Sequence, residues 1–148
     1  MLGADAVIAM GVADPAKLVK MGWSAGGHMT NKIITFTDRF KAAIPWMGIT
    51  NWISMTGTSD IFLENSTVHW NLVMYENYEK YWERSPLRHI DRAKTPTLII
   101  HGAADPRVPP GESRSAAIAA SGAVAAVALR ALVACGGGPS AVATWTVI

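Results

Sequence analysis

Apolar positions in this chain come in short blocks, separated by glycine, proline and acidic punctuation. Residues 5–10 read as the end of a helix, and "GVADP" after them is a turn broken at Gly11 and Asp14-Pro15. Residues 17–22, "KLVKMG", are short and mixed and predict a buried strand. Residues 25–36 predict a helix with Met29, Ile33 and Phe36 along one side. "KAAIPWMGIT", residues 41–50, is apolar enough for a second strand, although Pro45 removes a ladder donor. Residues 50–90 are richer in aromatic and polar groups and predict short helices or an excursion from the sheet. Residues 97–101, "TLIIH", form a continuous apolar run that fits a parallel strand covered on both faces. "GAADPRVPPGES" is then a loop. Strand, helix, strand, excursion and strand in that order imply a doubly wound α/β fold, a mostly parallel sheet with flanking helices. Sites in such sheets lie beyond the carboxyl ends of strands, where both Ser24 and Asp105 fall.

Composition narrows the class. The chain has 148 residues, half of them hydrophobic and 16% charged, which suits one globular domain with a core. The net charge of +2 comes without any cluster of Lys and Arg interleaved with aromatics, so nucleic acid is not an expected partner. Cys135 is the only cysteine, so no intrachain disulfide forms. The histidines are scattered and give no metal-ligand spacing; no metal or other cofactor is expected. The opening residues carry Asp5 and Asp14 and no charged n-region, so they do not read as a signal peptide. That tilts the expected compartment towards the cytoplasm. Oligomeric state is not legible.

Charge is unevenly spread. All Asp, Glu, Lys and Arg residues but one lie in residues 1–114; the exception is Arg130. Residues 115–148 hold twelve alanines and form a low-complexity tail. The stretch 116–135 is long enough to weigh as a membrane span. Arg130, Ser121, Gly122 and the many small residues argue against insertion.

Chemistry concentrates at Gly22-Trp23-Ser24-Ala25-Gly26, a G-x-S-x-G pentapeptide between the first predicted strand and the helix. A serine hydroxyl needs a general base, a group to orient that base, and donors for the developing oxyanion. The elbow supplies geometry: a tight strand-to-helix turn projects the hydroxyl, and glycines on either side admit neighbouring backbone. The Ala25 amide, at the helix N-terminus, is the candidate oxyanion donor. Alone, the pentapeptide also fits a glycine-rich turn with an idle serine. The acidic loop after a later strand favours the nucleophile.

"GVADPAKLVKMGWSAGGHMTNKIITFTDRFKAA" and "YWERSPLRHIDRAKTPTLIIHGAADPRVPPGES" resemble the nucleophile and acid segments of the prolyl oligopeptidase family of serine peptidases. The likeness is nearest to the dipeptidyl-peptidase and acylaminoacyl-peptidase branches and runs from about residue 5 to 113. It implies an incomplete α/β-hydrolase fold, a peptide substrate, Ser24 as nucleophile and Asp105 as triad acid. By the same resemblance Ile49, Trp52 and Met55 line an apolar substrate pocket; ordinary core is an equal alternative for them. The family's histidine follows the acid, whereas His28, His69, His89 and His101 all precede Asp105. His89 is expected at the surface and His28 beside the elbow. The resemblance thus divides the chain into a partial catalytic domain, 1–114, and a divergent tail, 115–148. An excess of Ala, Gly, Val and Arg is what an out-of-frame reading of a GC-rich gene yields; a natural alanine-rich helix ending at Gly136-Gly137-Gly138-Pro139 is the alternative. The expected function is peptide hydrolysis through a triad whose histidine is missing, leaving the chain inactive alone. An esterase or lipase-type hydrolase and a non-catalytic remnant are the other readings.

Overall fold

The computed structural model describes residues 1–120 and, as strands, residues 127–132 and 144–147. In chain order the elements are α1 (Leu2–Ala9), β1 (Val19–Trp23), α2 (Ala25–Ile33), β2 (Ala42–Trp46), α3 (Trp52–Thr58), α4 (Phe62–Glu64), α5 (Tyr78–Arg84), β3 (Thr97–Gly102), α6 (Gly111–Ala120), β4 (Val127–Leu132) and β5 (Thr144–Val147). The sheet order is β1-β2-β3-β4-β5. The first three pairings are parallel and β4–β5 is antiparallel. This is the expected α/β class. Both β4 and β5 come from the segment 115–148. The break at Gly136 to Pro139, and Cys135, lie outside the described residues.

Pro45 sits inside β2, opposite Gly22 of β1. The N–H groups of Ala43 and Met47 donate to Pro96 and Ile100 on the β3 side. Alternation puts position 45 on that side too, where proline has no hydrogen to give. One ladder bond is forgone and the strand survives.

The helix after the elbow presents a different face from the one its apolar residues predict. Its buried residues are Gly27, Thr30 and Asn31, continued by Ile34 just past its end. That is spacing of three and four residues, one helical face. Met29 and Phe36 are 50% and 62% exposed. The cause is close approach: a Cβ on Gly27 would lie 2.5 Å from the Trp46 carbonyl oxygen and 2.8 Å from the Gly48 Cα. Only small residues allow that crossing. The helix also stops at Ile33, earlier than position 36, where the Thr35 hydroxyl donates to the Lys32 carbonyl at 2.7 Å.

Two apolar clusters follow. Ile34, Ala43, Ile90, Ala93, Ile99, Ala116, Ala117 and Ala120 lie between the sheet and α6. Ile49, Trp52, Met55, Met74, Tyr81 and Val108 lie under the excursion, which consists of short helices as expected. Among the described residues no helix is long and apolar enough to cross a membrane. Nor, among them, does any group of three or more His, Cys, Asp and Glu converge on a possible metal site.

Candidate active site

Ser24 stands between β1 and α2 with φ 54° and ψ −115°, a conformation that favours glycine. Such a residue carries strain of about 1–3 kcal/mol and persists only where its surroundings over-determine it. Here the Ser24 N–H donates to the Trp46 carbonyl at 2.9 Å, and the Ser24 carbonyl accepts from the His28 N–H at 2.8 Å. The turn is tight enough that a Cβ on Gly22 would meet the Gly26 carbonyl. Gly26 itself has open space around its Cβ position. The motif's two glycines therefore do different work: position 22 must be bare, while position 26 contributes backbone. Ala25 opens α2, so its N–H has no partner within the helix and points out of the N-terminus.

Asp105 follows β3. Its Oδ1 accepts from the N–H groups of Arg107 at 2.9 Å and Val108 at 3.1 Å, folding the loop into a turn around the carboxylate. The loop is held from two directions. From β3, His101 is 1% exposed; its Nε2–H donates to the Val108 carbonyl at 2.6 Å and its Nδ1 accepts from the Ser113 hydroxyl at 2.6 Å. From the end of α3, the Ser59 hydroxyl donates to the Arg107 carbonyl at 2.6 Å and the Asp60 N–H to the Pro106 carbonyl at 3.1 Å.

These two supports bring Ser24 and Asp105 to one open cleft of about 320 Å³. Trp23 and Met47 contribute its apolar wall, Asp60 and Arg107 its polar wall. The guanidinium of Arg107 donates through Nε and Nη2 to the two carboxylate oxygens of Asp60, both at 3.3 Å. That bond, with the neighbouring negative charge, raises the Arg107 pKa above its ordinary value. Sequence reasoning missed Asp60 and Arg107. The only signal was that Arg107 stands two residues after Asp105; nothing near Asp60 marks it.

Ile49, Trp52 and Met55 do not line this cleft. All three are buried in the cluster beneath the excursion. Trp52 packs edge-on to His28 and at a tilt against Trp70, with ring centroids 5.1 Å and 4.7 Å apart.

The four histidines lie elsewhere too. His28 donates from Nδ1 to the Ile49 carbonyl at 3.1 Å, and burial lowers its pKa. Burial likewise lowers that of His101, whose two ring nitrogens are both engaged. His89 is 6% exposed, not at the surface as expected, because its ring tucks against Phe36 while Nε2–H reaches the Glu83 carbonyl at 3.3 Å. His69 is exposed beside Glu64. None lines the cleft.

A further buried acid organises the surroundings. Glu112 is 3% exposed, and its Oε2 accepts from the N–H groups of Thr50 at 2.9 Å and Asn51 at 2.7 Å. Its Oε1 accepts from the Ser54 hydroxyl. The first turn of α6 is thereby tied to the start of α3.

The sequence profile of the prolyl oligopeptidase family matches residues 1–131, beyond the composition break near residue 114. The chain is 46% identical over 96 residues to an uncharacterized peptidase of Bacillus subtilis, a match covering 65% of this chain and 15% of that protein. It is 35% identical over 117 residues to the acylamino-acid-releasing enzyme of Arabidopsis thaliana, covering 74% and 15%. An acylaminoacyl peptidase solved with the chloromethyl ketone Z-Gly-Gly-Phe superposes with TM-score 0.76 at 29% identity, over 90% of this chain and 21% of that one. The chain thus spans about 15% of the length of these curated relatives. With an α/β-hydrolase sheet, a strained serine at its elbow and an acid loop opening on the same cleft, the chain belongs to the prolyl oligopeptidase family of serine peptidases.

Proposed function

We propose that this chain carries the nucleophile and the acid of a serine peptidase, and that it turns over little or no substrate by itself. The observation that carries the reading is the shared cleft: Ser24, held at positive φ, and Asp105, two residues before a cleft arginine, open on the same space. In the proposed reaction Ser24 Oγ attacks the scissile carbonyl carbon while its proton passes to a histidine. The oxyanion accepts from the Ala25 N–H. The histidine returns the proton to the leaving amine, and water then hydrolyses the acyl-serine with regeneration of Ser24. Asp105 uses Oδ1 to hold its own loop, which leaves Oδ2 for the imidazole N–H. The base is the group not met in the cleft, since every histidine of the chain is engaged or placed elsewhere.

A fluorophosphonate probe tests both halves of the proposal. The expected result is slow labelling, several orders of magnitude below that of a complete catalytic domain, and complete loss of that residual signal in Ser24→Ala. Rapid labelling that disappears in Ser24→Ala would refute the inactivity. Labelling that persists in Ser24→Ala would refute the nucleophile.

A further inference from the structure

We infer that the Asp60–Arg107 pair makes the Ser24 cleft selective by charge: it takes peptides that are neutral or cationic beside the bound carbonyl and rejects anionic ones. The inference rests on the peptidase reading and specifies its substrate class. Three observations support it. First, the pair sits on the cleft wall with both side chains partly open to solvent, so an entering ligand meets both charges. Second, the donors can be counted. A guanidinium has five N–H groups. Asp60 takes one from Nε and one from Nη2, leaving the Nη1 pair and a second Nη2 hydrogen free to reach a peptide carbonyl without breaking the ion pair. Third, the charges do not balance. Asp60 and Asp105 are both acidic and Arg107 alone is basic among the charged residues lining the cleft, so the wall carries a net charge of −1. Glu64 lies close enough to act on Arg107 as well and adds to the negative side. Arg107 is therefore a hydrogen-bond donor whose charge is already spent on Asp60, and a carboxylate entering the cleft faces a surplus of negative charge.

The pair is also anchored independently of its own attraction. The Asp60 N–H and the Ser59 hydroxyl bond to the Pro106 and Arg107 carbonyls, so neutralising the Asp60 carboxylate leaves two of the contacts between the segments in place. That makes charge separable from structure in a variant.

The test titrates the full chain with three capped tripeptides, acetyl-Ala-Lys-Ala-amide, acetyl-Ala-Ala-Ala-amide and acetyl-Ala-Glu-Ala-amide. Binding is followed by the indole N–H resonance of Trp23, which lines the cleft. The Lys and Ala peptides are expected to bind about five-fold or more tighter than the Glu peptide at low salt. Raising the salt to 0.5 M should narrow the gap without any mutation. Asp60→Asn, which brings the wall to zero net charge, should reduce the gap to about two-fold or less. Arg107→Gln, which takes the wall to −2 and removes the free donors, should weaken the Glu peptide most and widen the gap. Equal or tighter binding of the Glu peptide, or a gap unchanged in Asp60→Asn, overturns the inference and leaves the peptidase reading standing. If no peptide moves the Trp23 resonance, the charge selectivity falls, and the peptidase reading is decided separately by probe labelling of Ser24.

Discussion

The two adjacent glycines of α2 provide a controlled test of what holds the elbow against the sheet. Gly26 and Gly27 are both helical, and an alanine at either gains up to about 1 kcal/mol of backbone propensity. Their surroundings differ. A Cβ at 26 meets nothing within 4 Å, whereas one at 27 lies 2.5 Å from the Trp46 carbonyl oxygen and 2.8 Å from the Gly48 Cα. Both neighbours at 27 are backbone, so neither can rotate away. The Trp46 carbonyl also accepts the Ser24 N–H, and its displacement disturbs the turn that holds Ser24. Overpacking of this kind costs about 1–3 kcal/mol. Gly26→Ala should therefore be neutral or up to about 1 kcal/mol stabilising. Gly27→Ala should be net destabilising by up to about 2 kcal/mol after the propensity gain is deducted. Urea unfolding followed by tryptophan fluorescence measures both, with comparison of the m-values to exclude a change in the unfolded state. Because propensity is common to the pair, their difference isolates the helix–sheet contact. Equal shifts in the two variants would refute the close-packing account.

Two other expectations concern strain and protons. If the positive φ of Ser24 is strained, Ser24→Gly should be more stable than Ser24→Ala by about 1 kcal/mol, the strain relief exceeding the entropic disadvantage of glycine; equal urea midpoints would count against strain. Burial lowers the pKa values of His28 and His101 below the ordinary value near 6.5, so the unfolded chain binds more protons in the interval beneath it. Stability should be full above about pH 7 and decline as the pH falls through 6.5 towards the lowered folded values. Urea midpoints at pH 7.5, 6.5 and 5.5 check this, His28→Gln should flatten the slope, and a midpoint that rises on acidification would reverse the argument.

The first three strands, the elbow and the acid loop were legible because each has a local signature: an apolar run, a glycine-flanked serine, an aspartate in a turn after a strand; β4 and β5, in the alanine-rich segment 115–148, were not. The buried face of α2 was not. Met29 and Phe36 are its large apolar residues, yet Gly27, Thr30 and Asn31 face the sheet, because the helix crosses too near Gly48 for anything bulky. Periodicity detects where large apolar residues cluster, not where two backbones nearly touch. The same limit separates Ile49, Trp52 and Met55, which pack inward, from Asp60 and Arg107, which face the cleft. Residues 47 apart in sequence meet there, and no local pattern announces such a pairing.

Glu112 has a kinetic consequence. Its carboxylate reaches the backbone of Thr50 across 62 residues of chain. A contact of that span forms only after a long loop has closed, so it raises the contact order and slows folding relative to the local helices around it. The loop it closes contains the whole excursion and the acid turn. A chain whose synthesis has paused before residue 112 therefore holds both Ser24 and Asp105 in sequence but lacks the carboxylate that ties α6 to the start of α3.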